Sequence, residues 1–157
     1  MSDIVNLKPE AVWRFFDEIT RIPRPSKKEE KIVAYLIDFA KSRSLEYRKD
    51  STGNVVIRKG ASPGMENRPV VVLQSHVDMV CEKRGDVNFH FDTDPIRTRV
   101  EDGWVRAEGT TLGADCGIGM AAELAVLDAD DLAHGRVECL FTVDEETGQT
   151  GAFGPGE

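Results

Sequence analysis

Residues 70–78 read VVVLQSHVD, a short apolar run that turns abruptly polar. A continuous run of this length is typical of a strand buried on both faces of a sheet. A second run of the same kind, VECLFTV, occupies residues 137–143, and three consecutive carboxylates follow it at Asp144, Glu145 and Glu146. The two runs therefore predict two central strands, each of which ends in a polar loop.

Segments with helical spacing surround these strands. Two helices are predicted in the first forty-odd residues, the first beginning near Pro9, and a third over residues 117–127. The sequence SKKE at 26–29 has the form of a capping box for the second helix. Hairpins are predicted over 45–58 and 96–107, and the polar stretch between 81 and 95 is expected to be a surface excursion. Helices that alternate with central strands indicate an α/β fold.

Length and charge exclude several classes of function. The chain has 157 residues, which favours a single folded unit, and its 20 basic against 28 acidic residues give a net charge of −8. This balance argues against a nucleic-acid or anionic-membrane partner, because both need clustered positive charge. The first six residues do not have the pattern of a signal peptide, and no apolar run approaches the ~18 residues of a membrane-spanning helix. Three widely spaced cysteines predict neither disulfides nor a zinc knuckle, so we expect a cytoplasmic protein.

The first candidate site follows the first central strand. His76 and Asp78 are two residues apart and share a face in extended geometry. A metal-binding imidazole commonly donates its other N–H to a carboxylate, and this pair can supply both groups locally. The alternative is a histidine with a purely structural hydrogen bond.

The second candidate is Asp115, which lies among the glycines of residues 109–119, just before the third helix. It could face a bound cation, or it could be an ordinary helix N-cap. A remote alternative is a dinucleotide-binding domain, because GIGMAA at 117–122 matches the loose form of that fingerprint and Asp144 lies at a later strand end. That fingerprint should follow a strand directly, whereas residues 108–116 are polar and glycine-rich.

The third candidate is the run of carboxylates after the second central strand. Adjacent like charges repel one another unless a cation is present, although a solvated acidic turn remains the alternative. Neighbouring side chains of an extended chain point in opposite directions, so Glu145 and Glu146 are expected to take different roles. One histidine with aspartate and glutamate suits zinc or a similar divalent ion. Glu145 suits the free carboxylate that takes a proton from an activated water.

The order and spacing of these motifs resemble the dinuclear zinc exopeptidases, which include aminoacylases and carboxypeptidase-like enzymes. The motifs are SHVD at 75–78, GAD at 113–115, GIG at 117–119 and DEETG at 144–148. The wider sequence resembles the bacterial aminoacyl-histidine (Xaa-His) dipeptidases, through IPRPS at 22–26, GMENRP at 64–69, GTTLGAD at 109–115 and TGAFG at 150–154.

The resemblance implies zinc-dependent hydrolysis of dipeptides of the Xaa-His type. Two Zn²⁺ ions, or Co²⁺ or Mn²⁺ in their place, would occupy the complete site. His76 would ligate one ion, Asp115 would bridge both and Glu146 would ligate the other, while Asp78 would orient His76 and Glu145 would be the general base. The family also implies a three-layer α/β/α sandwich with a mostly parallel central sheet, and a cis peptide bond after Asp115.

The family's sequences continue far beyond the matched motifs. Residues 1–157 would then be the amino-terminal portion of the catalytic domain, without the lid domain and the carboxyl-terminal part of that domain. The remaining metal ligands and substrate contacts would lie outside the chain. The isolated chain is accordingly expected to be inactive and to self-associate in part. The competing interpretation is a non-catalytic folded module that binds one metal weakly.

Overall fold

The computed structural model describes residues 3–154. Residues 1–2, which belong to the segment considered as a signal peptide, and residues 155–157 lie outside it. A short 3₁₀ helix at Asp3–Asn6 precedes the helices α1 (Glu10–Thr20), α2 (Glu30–Ser42), α3 (Ala114–Asp128) and α4 (Thr150–Phe153). The strands are β1 (Glu46–Lys49), β2 (Val55–Lys59), β3 (Val71–His76), β4 (Thr98–Glu101), β5 (Trp104–Ala107) and β6 (Val137–Thr142). The predicted helices and hairpins are confirmed, and strands are present at both of the apolar runs over 70–76 and 137–143.

Four strands form the main sheet in the order β1-β2-β6-β3. Strand β3 runs parallel to β6, with Leu73 opposite Cys139, whereas β2 is antiparallel to both β1 and β6. The expectation of a mostly parallel sheet therefore holds only for the β3–β6 pair. The β1–β2 hairpin reverses the chain, so β1 runs in the same direction as β6 and β3, and β2 is the strand of this sheet that opposes them.

The hydrophobic core lies on one face of this sheet. Ile57 on β2 and Cys139 on β6 are fully buried, and they belong to one cluster with Phe16, Leu36 and Leu124 from α1, α2 and α3. Residues alternate between the two faces of a strand, so Val56, Arg58, Glu138, Leu140 and Val72 lie on the opposite face, where they are partly or largely exposed. The α/β class is confirmed. Residues 3–154 form two layers, and the second helical layer of the expected sandwich is not among them.

Strand β3 is less buried than its apolar sequence predicts. Val71 is 50% exposed and Val72 is 60% exposed, whereas Ser75 and His76 at the other end are buried. Among the described residues β3 is an edge strand, with β6 on one side only. The prediction of a strand buried on both faces is therefore wrong for its first half.

Two further expectations change in detail. Met79, Phe89 and Ile96 form a small hydrophobic cluster of their own, so the excursion over 81–95 is partly packed. The capping box is wrong, because α2 begins at Glu30 and no side-chain hydrogen bond caps it. In residues 3–154, no helix has both the length and the apolar character needed to cross a membrane.

Candidate metal centre

The candidate residues meet at one edge of the sheet. His76 is the last residue of β3, and Glu145 and Glu146 lie in the loop after β6. Because β3 and β6 are parallel neighbours, both strands end at the same edge, which is where α/β sheets bind ligands. Asp115, in the first turn of α3, approaches this edge from the helical layer. The five site residues predicted from the sequence are thus brought together.

The Asp78 carboxylate connects three segments of the site. It is fully buried and accepts hydrogen bonds from the backbone amides of Glu145 at 3.0 Å and Glu146 at 3.1 Å. It also accepts one from the Ser26 hydroxyl at 2.7 Å and contacts His76 Nδ1 at 3.2 Å. The sequence predicted only the contact with His76. One carboxylate therefore sets the positions of the histidine and of both glutamates.

These contacts also determine which histidine nitrogen faces the site. Burial by itself would raise the pKa of Asp78, but the hydrogen bonds from His76, Ser26 and the two amides outweigh it and hold that pKa well below its usual range. An ionised carboxylate only accepts hydrogen bonds, so His76 Nδ1 donates to it. His76 Nε2 then points outward, 2.9 Å from Asp115 Oδ1 and 3.9 Å from Glu145 Oε2.

The His76 imidazole lies between two carboxylates, with Asp78 at Nδ1 and Asp115 at Nε2. Burial would lower the pKa of its imidazole, but the hydrogen bonds to Asp78 and Asp115 raise it to about 9. The contact between Nε2 and Asp115 is therefore a charge-assisted hydrogen bond. A divalent ion could replace the proton that these two atoms share, because metal ligation requires a neutral imidazole.

The ligand atoms form two groups that share His76. Its ring nitrogen lies within 4.8 Å of ligand atoms on Asp115 and Cys116, and also of carboxylate oxygens on Glu145 and Glu146. Within residues 3–154 neither group contains Asp115 and Glu146 together. The Asp115 side chain is 88% exposed, whereas Glu145 and Glu146 are half-buried. Imidazole nitrogen and carboxylate oxygen are donors that suit zinc and similar ions, so the residues fit a divalent metal.

Asp144, the first carboxylate of the run, stabilises the loop instead of facing the site. It is buried, and its carboxylate accepts hydrogen bonds from the hydroxyls of Thr147 and Thr150, which hold its pKa below the usual range. Its amide donates to Glu29 Oε1 at 3.0 Å. Its φ of 52° lies in the left-handed region, which aspartate tolerates better than most residues. A solvated acidic turn is therefore excluded for Asp144.

Four supporting residues were not identified from the sequence: Arg24, Ser26, Glu29 and Asn54. Ser26 and Glu29 have the spacing of a capping box, but they bind Asp78 and the Asp144 amide instead. Asn54 accepts a hydrogen bond from the Val143 amide and donates one to the Gly151 carbonyl, which closes the loop after β6. The only local signal was the proline-rich break at 22–26, which ends the helical pattern.

Two other expectations concern the start of α3. The peptide bond between Asp115 and Cys116 is cis, as the family resemblance implies. The dinucleotide alternative is wrong, because residues 117–119 lie inside α3 and not in a turn between a strand and a helix.

The site combines a buried histidine and its carboxylate partner with further carboxylates at the ends of two parallel strands. Such a combination is typical of proteins that bind metal ions. Residues 72–155 match the model of peptidase family M20/M25/M40, which is more than half of the chain. The chain belongs to this family.

Individual relatives agree with this assignment. The cytosol non-specific dipeptidase of Escherichia coli K12 is 47% identical over 154 residues, which is 98% of this chain and 32% of that protein. The crystal structure of aminoacylhistidine dipeptidase from Vibrio alginolyticus superposes with a TM-score of 0.95 at 52% identity, over 98% of this chain and 31% of that one. The YXEP protein of Bacillus subtilis, a dinuclear metal binding peptidase from the M20 family, shares the fold with a TM-score of 0.52 at 16% identity, over 86% of this chain and 35% of its own. The chain spans about a third of the length of these relatives.

Proposed function

We propose that residues 1–157 form the amino-terminal portion of the catalytic domain of a cytoplasmic metallo-dipeptidase that hydrolyses dipeptides of the Xaa-His type. The observation that carries the proposal is the Asp78 carboxylate, which holds His76 by Nδ1 and the amides of Glu145 and Glu146. This arrangement leaves Nε2 within reach of two groups of ligand atoms, one with Asp115 and one with Glu145 and Glu146. The non-specific dipeptidase of E. coli supports dipeptides as substrates, and the aminoacylhistidine dipeptidase of Vibrio supports the Xaa-His type.

The residues that would hold a pair of divalent ions are His76, Asp115 and Glu146, with Asp115 shared between the two. The ion in this proposal is Zn²⁺, with Co²⁺ and Mn²⁺ as alternatives, because imidazole and carboxylate ligands suit zinc and similar divalent ions. When bound, the ions would supply Lewis-acid activation of a water and of the scissile carbonyl. Asp78 keeps the Nδ1 proton in place and so presents the lone pair of Nε2 for ligation.

Glu145 is the general base in this proposal. Its amide is fixed by Asp78, while its side chain is 39% exposed and its Oε2 lies 3.9 Å from His76 Nε2. A carboxylate that is anchored at the backbone but free at its tip can accept a proton from the attacking water. It can then deliver that proton to the leaving amine.

The two glutamates provide the test, in the longer protein that carries the remaining family ligands. Glu145→Gln should retain metal and lose turnover by ~10²–10⁴-fold, because only proton transfer is removed. Glu146→Gln should lower the affinity for one ion. Metal content and hydrolysis of an Xaa-His dipeptide measure the two effects. Equal metal loss in both variants would show that the roles are wrongly assigned.

The isolated 157-residue chain provides a second test. Three side chains for two ions leave each ion two protein ligands, even with Asp115 counted twice, whereas catalytic zinc usually has three. We therefore expect weak metal affinity and no zinc-dependent cleavage of an Xaa-His dipeptide. Cleavage that a chelator and Glu145→Gln both abolish would contradict the proposed extent of the active site.

A further inference from the structure

Arg24 is the largest fully buried side chain of the described residues, at 1% exposure. Its Nη1 donates to the carbonyls of Val77 and Asp78, both at 3.0 Å, and its Nη2 donates to the carbonyl of Gly113 at 2.5 Å. Val77 directly follows His76, and Gly113 precedes Asp115 by two residues. One guanidinium therefore links the two backbone segments that carry the ligands facing each other across the site.

Folding stability alone does not account for this arrangement. Within residues 3–154 the hydrogen-bond partners of the Arg24 guanidinium are carbonyl oxygens and not carboxylates, and its Nε has no partner. Burial lowers the pKa of the guanidinium to about 10, and the more distant Asp78 and Glu146 oppose this only in part, so the group remains charged at neutral pH. A buried cation without an ion-pair partner is costly to the fold.

The backbone around Arg24 is built closely against it. A Cβ added at Gly113 would lie 2.5 Å from Arg24 Nη2, and one at Gly117 would lie 2.8 Å from the same atom. Gly113 also has a φ of 70°, in the left-handed region that glycine adopts without strain. The loop before α3 therefore closes directly onto the guanidinium.

We propose that Arg24 is a positioning residue that fixes the separation between His76 and Asp115, and through it the affinity of the site for a divalent ion. The proposal rests on the metal centre of the proposed function. A planar guanidinium reaches three carbonyls in fixed directions, whereas a lysine ammonium is a point charge on a flexible stem. A lysine at position 24 would retain the positive charge but not the planar geometry, so it should not hold the two segments at the same separation.

The experiment titrates Co²⁺ into the 157-residue chain and follows its visible absorption, with urea unfolding measured separately. Supporting residues of metal ligands typically change affinity by ~10–100-fold, so Arg24→Lys should weaken Co²⁺ binding by at least about tenfold and alter the spectrum. Arg24→Met should weaken it further. Leu36→Ala is the matched control, because Leu36 is fully buried on α2 and belongs to the main core. It should lose stability but keep its Co²⁺ affinity.

Unchanged affinity and spectrum in Arg24→Lys would overturn the proposal, as would an equal loss of affinity in Leu36→Ala. A metal-free arm uses the amide NMR signals of Gly113 and Asp115, which Arg24→Lys should shift while leaving the signals of α2 in place. If the parent chain binds no Co²⁺ and these signals still shift, the ligands of this chain do not suffice to hold an ion, and the positioning role of Arg24 stands. If they do not shift, Arg24 does not position the two segments.

Discussion

Strand β3 begins with apolar residues that are exposed and ends with polar residues that are buried. Val71 and Val72 are at least half exposed, whereas Ser75 and His76 are enclosed by α3 and by the loop after β6. Along its whole length β3 has β6 as its single neighbouring strand in residues 3–154, so the difference comes from the other elements that pack against each part of it. The burial of each residue on β3 therefore depends on the elements that pack against it and not on how hydrophobic the residue is. At the buried end of β3 the stability of the fold should depend on hydrogen bonds to the buried polar groups. At the exposed end, self-association should depend on how much apolar surface is in contact with water.

The largest loss of stability is expected from Asp78→Ala, at the buried end of β3. The substitution leaves the Ser26 hydroxyl, the amides of Glu145 and Glu146 and the His76 ring without their buried acceptor. Removing one side of a buried, charged hydrogen-bond network costs about 3–5 kcal/mol, so the free energy of unfolding should fall by that amount. Urea unfolding at neutral pH measures it.

Asp86→Ala is the control for this prediction. Asp86 also accepts hydrogen bonds from a basic residue, Arg84, but both side chains are 70% exposed. Exposed pairs contribute little, and the change should stay within about 1 kcal/mol. Similar losses in the two variants would show that the buried end of β3 does not depend on Asp78.

A pH-dependent effect is expected from Glu123, which α3 places beneath the same end of β3. Its carboxyl is buried, and its Oε2 forms no hydrogen bond within the described residues. Burial raises its pKa to about 8, and the Ser75 hydroxyl, which faces it without a well-formed hydrogen bond, offsets little of this. The folded chain therefore holds a proton at pH values where the unfolded chain has released it.

Because the pKa is raised on folding, this group's contribution to stability is complete below pH 4.5 and decreases as the pH rises towards 8. Glutamine resembles the neutral carboxyl and does not titrate. Between pH 6 and pH 8 the unfolding free energy of Glu123→Gln should therefore gain about 2 kcal/mol relative to the parent. Urea unfolding of both chains across this range measures the difference. The exposed Glu108→Gln is the control, and its unfolding free energy should change with pH as that of the parent does. The same behaviour in Glu123→Gln would show that the Glu123 carboxyl is ionised in the folded chain.

Local patterns accounted for most of the secondary structure. The two hairpins and β6 lie where β-propensity and turn residues placed them, because these elements depend on neighbouring residues. The residues of the candidate site were found because chemically unusual groups, such as His76 and the carboxylates at 144–146, follow apolar runs. Their roles as ligand or base stay a prediction.

The supporting residues could not be predicted, because their partners are distant in the sequence. Arg24 binds a carbonyl 89 residues away and Glu29 binds an amide 115 residues away. The SKKE pattern at 26–29 suggested a local cap, but tertiary partners compete for the same side chains. The exposure of Val72 was missed for a related reason, since an apolar run does not show whether a strand lies at the centre or at the edge of a sheet.

The smallest effect on stability is expected at the exposed end of β3. Val72→Lys should change the free energy of unfolding by no more than about 0.5 kcal/mol, because the side chain is 60% exposed. It should nevertheless reduce self-association of the isolated chain, because a charge on an open, apolar edge strand opposes pairing with a second copy. Sedimentation velocity measures the oligomer fraction. Val100→Lys on β4, which is 38% exposed, adds the same charge away from this edge and should leave that fraction unchanged. If the two variants reduced oligomers equally, net charge would explain the effect and the edge of β3 would not.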